Sequence, residues 1–166
     1  MNLKFPALPL QWNNFLVVIE KGKLLTSFMN SCIYSVVSVF LCTVLASMAS
    51  YVFSRNRSKL NRFLYLYMVL GITMPVNYVA LTKVMMFLTL NNTRLGIVLL
   101  YTAMQLPFSV FLIHGFVAKL PSELDEAAVI DGCSPVRLFV SVILPLLKPA
   151  IATVIPGMNL FHLCIF

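Results

Sequence analysis

From Leu25 to Ser54 the chain carries no charged residue. Roughly 20 apolar residues are enough for a helix to cross the hydrocarbon core of a bilayer, so this run has length to spare. It predicts a first membrane span over about residues 28–53. Ser31, Ser35, Ser38, Thr43, Ala46, Ser47, Ala49 and Ser50 fall inside it. Small residues in such numbers let helix backbones approach closely in lipid, where packing replaces the hydrophobic effect as the driving force. Asn30, at the outer end, is expected to cap the helix or to bond a neighbour.

Composition agrees with a chain built for lipid. It is 60% hydrophobic and only 10% charged, against the roughly 25% charged of a soluble domain. The predicted fold class is therefore an all-α integral membrane protein, one domain over residues 25–166. A formal net charge of +7 raises nucleic acid as a partner. The bases, however, lie dispersed or grouped between apolar runs, which is the pattern that sets membrane topology, and no basic–aromatic patch accompanies them. Cys32, Cys42 and Cys164 sit in apolar segments and Cys133 in a polar turn, without a CxxC pair or a His spacing suited to a metal.

Residues 1–24 do not read as a signal peptide, because Pro6 and Pro9 interrupt the apolar stretch and no small-residue cleavage site follows. Trp12 and Phe15 suit an extracytoplasmic or interfacial lead-in. After the first span, Arg55, Arg57, Lys59 and Arg62 form the densest basic cluster and mark the cytoplasmic side. A second span is expected over residues 63–88, with Gly71 and Pro75 making a kink or packing notch. Asn77 then either satisfies a freed carbonyl or faces a transport route, and Lys83 snorkels at the outer end. Asn91–Arg94 forms a polar outer turn, and a third span runs inward over 95–118. Gln105 within it fits a solute path or an interhelical hydrogen bond equally, and His114 has no acid partner within the spans. A fourth span begins at 138, with Pro145 and Pro149 near its start, and Pro156-Gly157 is expected to interrupt it before residue 166.

Between the third and fourth spans, residues 119–137 form a polar island. Four of the five acidic residues, Glu123, Asp125, Glu126 and Asp131, lie here. Ser122 and Asp125 have the form of a capping box, Pro121 stops any helix continuing from upstream, and Asp131-Gly132 supplies a left-handed stop. Ser134-Pro135 then opens a second helix. Lys119 and Arg137 flank the island and place it in the cytoplasm. On spacing alone this helix–turn–helix is a solvated connection or a surface for a partner, with neither favoured.

The residues Glu126-Ala127-Ala128, Asp131-Gly132 and Leu144-Pro145 resemble the EAA motif of inner-membrane permease subunits of binding-protein-dependent ABC importers. Asn30-Ser31, Pro75 and the stretch 92–100 are similar to the carbohydrate type, with maltose and glycerol-phosphate permeases as its examples. The resemblance runs from about Phe28 to Val154. It implies a multi-pass inner-membrane subunit whose island is the coupling loop, with Glu126, Ala127, Ala128, Asp131 and Gly132 contacting a cytoplasmic ATPase. It further implies a second permease subunit, an extracytoplasmic solute-binding protein, a sugar or sugar-like cargo, and alternating access driven by ATP. Family members carry one more helix upstream and continue past the fourth span through an outer loop to a final helix. The chain is accordingly expected to be truncated at both ends.

No phosphate loop, nucleophile elbow or zinc-protease spacing is present, so no enzyme activity, cofactor or metal is expected of the chain itself. Three alternatives stand beside the importer reading. A secondary transporter would need acids within the spans, which are lacking; a membrane scaffold and a non-transporting permease remnant need no such groups.

Overall fold

The computed structural model describes residues 24–56 and 58–165, with side chains described over 25–56 and 58–157. The expectations for 1–23, for Arg57 and for the side chains of the tail lie outside these residues. All described elements are helical: α1 (Leu24–Arg55), α2 (Lys59–Thr73), α3 (Tyr78–Phe87), α4 (Arg94–Val117), α5 (Glu123–Ile130), α6 (Pro135–Leu138), a π-helical turn (Phe139–Ile143), α7 (Leu144–Leu146) and α8 (Lys148–Ile165). Two units divide the chain, Met1–Tyr34 and Ser35–Phe166, and the packing below belongs to the second.

Helix α1 separates small from large residues by rotation. Ser38, Cys42, Ala46 and Ser50, spaced four apart, are all buried to 0% exposure. Val36, Phe40, Val44, Met48 and Val52, offset by two positions, are all exposed. At 100° per residue those two rows face opposite ways. The small row meets α4, where Ser38 Oγ donates to Val98 O (3.3 Å), Cys42 Sγ to Ser109 Oγ (3.6 Å) and Ser50 Oγ to Val110 O (3.0 Å). The small residues thus serve close helix packing, as their composition predicts. Val39, Cys42 and Ala46 of α1, Val110, Ile113 and Val117 of α4, and Leu138, Ile143, Leu147, Ala150 and Val154 downstream form one core. Asn30 lies two turns inside α1 rather than at its cap, because the helix starts at Leu24.

The second span departs from the single kinked helix expected over 63–88. Helices α2 and α3 bend by 119° at Met74–Asn77. Pro75 bars a continuing helix, and Met74 has already turned to extended geometry (φ −80°, ψ 128°). Asn77 starts the next helix rather than rescuing a carbonyl of the last. It caps α3, its Oδ1 accepting from the N–H groups of Val79 (3.1 Å) and Ala80 (3.2 Å). Gly71 is a packing notch: a Cβ there would stand 3.4 Å from Pro107 Cγ of α4.

The fourth span is also bent, by 70°, but between Leu146 and Lys148 rather than at Pro156-Gly157. Pro145 and Pro149 remove two amide donors four residues apart, and the π-helical turn over Phe139–Ile143 precedes them. Helix α8 runs through Pro156 without a break. Leu25–Arg55 and Arg94–Val117 are each long and apolar enough to cross a membrane, and the two bent pairs raise the number of candidate spans to four.

Candidate functional site

Among the described residues, helix α5 is the one acidic helix, and acids crowd its start. Glu123, Asp125 and Glu126 occupy its first turn, where the unpaired N–H groups favour negative charge. The expected capping box does not form. Ser122 takes helical geometry (φ −69°, ψ −21°), its side chain makes no capping bond, and its carbonyl accepts from Asp125 N (3.0 Å) and Glu126 N (3.2 Å). The Asp125 carboxylate turns away from Ser122 because a stronger partner reaches it from α1.

That partner is Arg55, the last residue of α1. Its Nη1 donates to Leu120 O (3.1 Å), its Nη2 to Pro121 O (3.3 Å), and its Nε stands 2.5 Å from Asp125 Oδ2 as an ion pair without hydrogen-bond alignment. Both side chains are mostly covered, at 21% and 16% exposure. Sequence reading assigned Arg55 only to the basic cluster of the cytoplasmic side. Its position at the end of a long span, three helices before an acidic island, was the available signal for a charge pair.

The far end of α5 closes as the sequence indicates. Gly132 adopts φ +75°, the left-handed geometry that other residues resist. Cys133 N donates to Ala128 O (3.0 Å) and Gly132 N to Val129 O (3.0 Å), which together make a Schellman stop. Ser134 then caps α6 through Arg137 N (3.4 Å), with Pro135 in the first turn.

Among the five residues singled out in the loop, Glu126, Ala127, Asp131 and Gly132 are exposed, whereas Ala128 is buried at 6%. The two alanines therefore part company: Ala128 joins the core and Ala127 faces out. Beside Ala127 stand Val129 (63% exposed) and Ile130 (85% exposed), two large apolar side chains that the motif-based reading passed over. The outer face of α5 thus mixes acids with uncovered hydrocarbon.

Other polar groups serve packing. His114 stacks on Tyr65 of α2 with ring centroids 4.1 Å apart, and the Ser109 hydroxyl donates to the backbone carbonyl of Gln105 (3.0 Å). A cavity of about 510 Å³ lies beside α1, lined by Val36, Phe40, Thr43, Leu144 and Ile151, with Lys148 on its wall. Among the described residues, no cluster of three His, Cys, Asp or Glu side chains suits a metal ion.

Comparisons with known proteins bear on this architecture. Residues 42–157 match the family described as the inner membrane component of binding-protein-dependent transport systems. Similar proteins include the ABC transporter permease protein ORF2 of Caldicellulosiruptor sp. (strain Rt8B.4), 37% identical over 85% of this chain and 52% of that protein. A diacetylchitobiose uptake system permease protein of Streptomyces coelicolor is 38% identical over 76% of this chain and 43% of its own length. The melibiose/raffinose/stachyose import permease protein of Bacillus subtilis is 33% identical over 90% and 55%. The chain thus spans about half the length of the curated relatives it matches. A crystal structure of a bacterial ABC transporter involved in the import of the acidic polysaccharide alginate superimposes with TM-score 0.81 at 21% identity, over 97% of this chain and 57% of that one. At that identity the likeness speaks for the fold. The family match covers most of the chain, and the chain belongs to the family of inner membrane components of binding-protein-dependent transport systems.

Proposed function

We propose that this chain is a transmembrane permease subunit of an ATP-driven importer and that α5 is its coupling helix, docking on a cytoplasmic ATPase. The observation that carries the reading is the outer face of α5. Val129 and Ile130 are uncovered beside Glu126 on a short helix with a firm C-terminal stop, a surface that a lone chain gains nothing by holding out. Glu126, Ala127, Asp131 and Gly132 supply the polar part of that contact, while Ala128 anchors the helix from beneath. A second permease subunit and an extracytoplasmic solute-binding protein complete the assembly, in a multi-pass arrangement of the inner membrane. ATP is hydrolysed in the separate ATPase subunits, and this chain binds no cofactor. A sugar or sugar-like solute is the cargo, supported by the uptake named for the Streptomyces coelicolor and Bacillus subtilis relatives.

The mechanism follows from the stiffness of α5. ATP-driven closure of the ATPase shifts a docked element, and the shift reaches the spans only if that element does not deform. A short helix with a Schellman stop behind it and an arginine clamp before it meets this need. Glu126→Arg is expected to reduce the ATPase that co-purifies with the chain roughly tenfold, because it reverses a charge in a small contact. The amount of chain in the membrane should stay unchanged. Equal co-purification with the variant would overturn the assignment.

A further inference from the structure

We propose that Arg55 is the positioning residue for coupling, holding α5 at the angle at which the ATPase meets it; the inference rests on the coupling reading above. Three groups converge on this one guanidinium: the carbonyls of Leu120 and Pro121, which accept hydrogen bonds, and the carboxylate of Asp125, which pairs with its charge. The two carbonyls fall in the gap between α4, which ends at Val117, and α5, which begins at Glu123, so regular helix bonding does not claim them. Asp125 lies in the first turn of α5 itself. Arg55 therefore grips both the lead-in and the body of the coupling helix.

The geometry suits arginine and not lysine. A planar fork offers several N–H donors in fixed directions, whereas an ammonium is a point charge on a flexible stem. Arg55 is also the C-terminal residue of α1, where the helix dipole favours a cation. It joins α5 to α1, whose Cys42, Ala46 and Ser50 are fully buried. Ser50, little more than one turn back along α1, bonds to Val110 of α4. Force applied to the outer face of α5 thus passes through Arg55 into α1 and across the serine seam into α4. Without the clamp it would be dissipated by rotation about Lys119–Ser122, because Ser122 makes no capping bond of its own.

The test compares the unmodified chain with Arg55→Gln, Arg55→Lys, Asp125→Asn, Glu126→Arg and the reciprocal pair Arg55→Asp with Asp125→Arg, in inside-out membrane vesicles. Two quantities are read: the rate of tryptic cleavage after Lys119, and the affinity of the purified ATPase subunit for the vesicles. Arg55→Gln and Asp125→Asn should speed cleavage and weaken ATPase binding, each roughly fivefold or more. Glu126→Arg should weaken binding with cleavage unchanged, since it alters contact and not position. The reciprocal pair should not recover the lost affinity, because a carboxylate at position 55 cannot donate to the carbonyls of Leu120 and Pro121. Arg55→Lys, which keeps charge and length, should show an intermediate loss and carries the test if Arg55→Gln fails to reach the membrane. Normal ATPase affinity in both Arg55 variants overturns the positioning role and leaves the coupling reading standing. Failure of the ATPase to bind the unmodified chain overturns the coupling reading, and this inference with it.

Discussion

The Ser50 hydroxyl donates to the carbonyl of Val110 at 3.0 Å, and Ser38 repeats the contact with Val98 at 3.3 Å, both pairs sixty positions apart. An identical offset at two points along the seam means that α1 and α4 run in the same direction. Twelve residues separate the two contacts, about 18 Å of helix. Between them Cys42 meets Ser109, so a narrow polar line holds the two helices at close range.

Bulk should damage this seam more than loss of a hydrogen bond does. Ser50→Ala is expected to cost about 0.6 kcal/mol, the usual size of an interhelical bond in a membrane protein. Ser50→Leu must push α4 away and should cost about 1–3 kcal/mol or more. Thermal unfolding of the detergent-solubilised protein separates the two; equal melting temperatures would refute a close-packed seam.

Gly96 and Gly71 make a matched pair for a second measurement. A Cβ on Gly96 would collide with the carbonyl oxygen of Leu90, backbone that the turn at Asn91–Thr93 folds over α4, and Gly96 N is held by Thr93 Oγ1 (3.0 Å). Gly96→Ala should therefore lower stability by about 1–3 kcal/mol. Gly71→Ala meets only the Pro107 ring at 3.4 Å and should stay within about 0.5 kcal/mol. A larger loss for Gly71→Ala than for Gly96→Ala would contradict the packing described.

The stop behind α5 depends on backbone geometry. Gly132 sits at φ +75° with open space around its Cα, so Gly132→Ala suffers from conformation alone, by about 1–2 kcal/mol. Gly132→Asn, better tolerated in left-handed geometry, should lose less. Limited proteolysis after Arg137 would show the order: alanine cleaved fastest, asparagine between it and glycine.

Asn77 separates a cap from a transport residue. Asn77→Asp keeps an acceptor oxygen for Val79 and Ala80 and should preserve stability, while Asn77→Ala should cost about 1 kcal/mol. Comparing the melting temperatures of the two variants decides it, and equal loss in both would argue against capping.

Much of the fold was legible because it depends on composition and on chemistry local to a few residues. The uncharged run Leu25–Ser54 and the apolar run ending near Val117 announced candidate spans by length. Small residues announced the seam, and Ser134-Pro135 and Gly132 announced a cap and a stop whose partners lie within five residues. Pro75 was visible as a disturbance, yet a proline allows either a kink or a full break. Neighbouring packing chose the 119° bend, as Gly71 settled on Pro107 and Asn77 started a new helix. The same holds for Pro145 and Pro149 against Pro156, since a proline's effect depends on whether the freed carbonyl and the displaced turn find room.

The island shows where sequence stops. Its acids, alanines and glycine were evident from the chain alone, as was the likeness to a coupling loop. Which alanine faces out was not, because an eight-residue helix has no long periodic stripe to fix its rotation, and only the core beneath Ala128 decided it. Nor did the capping-box spacing foretell that Asp125 would pair with an arginine seventy positions earlier. A Ser122 cap and an Arg55 pair are both open to that carboxylate in the extended chain. The tertiary fold brings a guanidinium already hydrogen-bonded to Leu120 and Pro121, and its charge beside the carboxylate outcompetes a neutral turn.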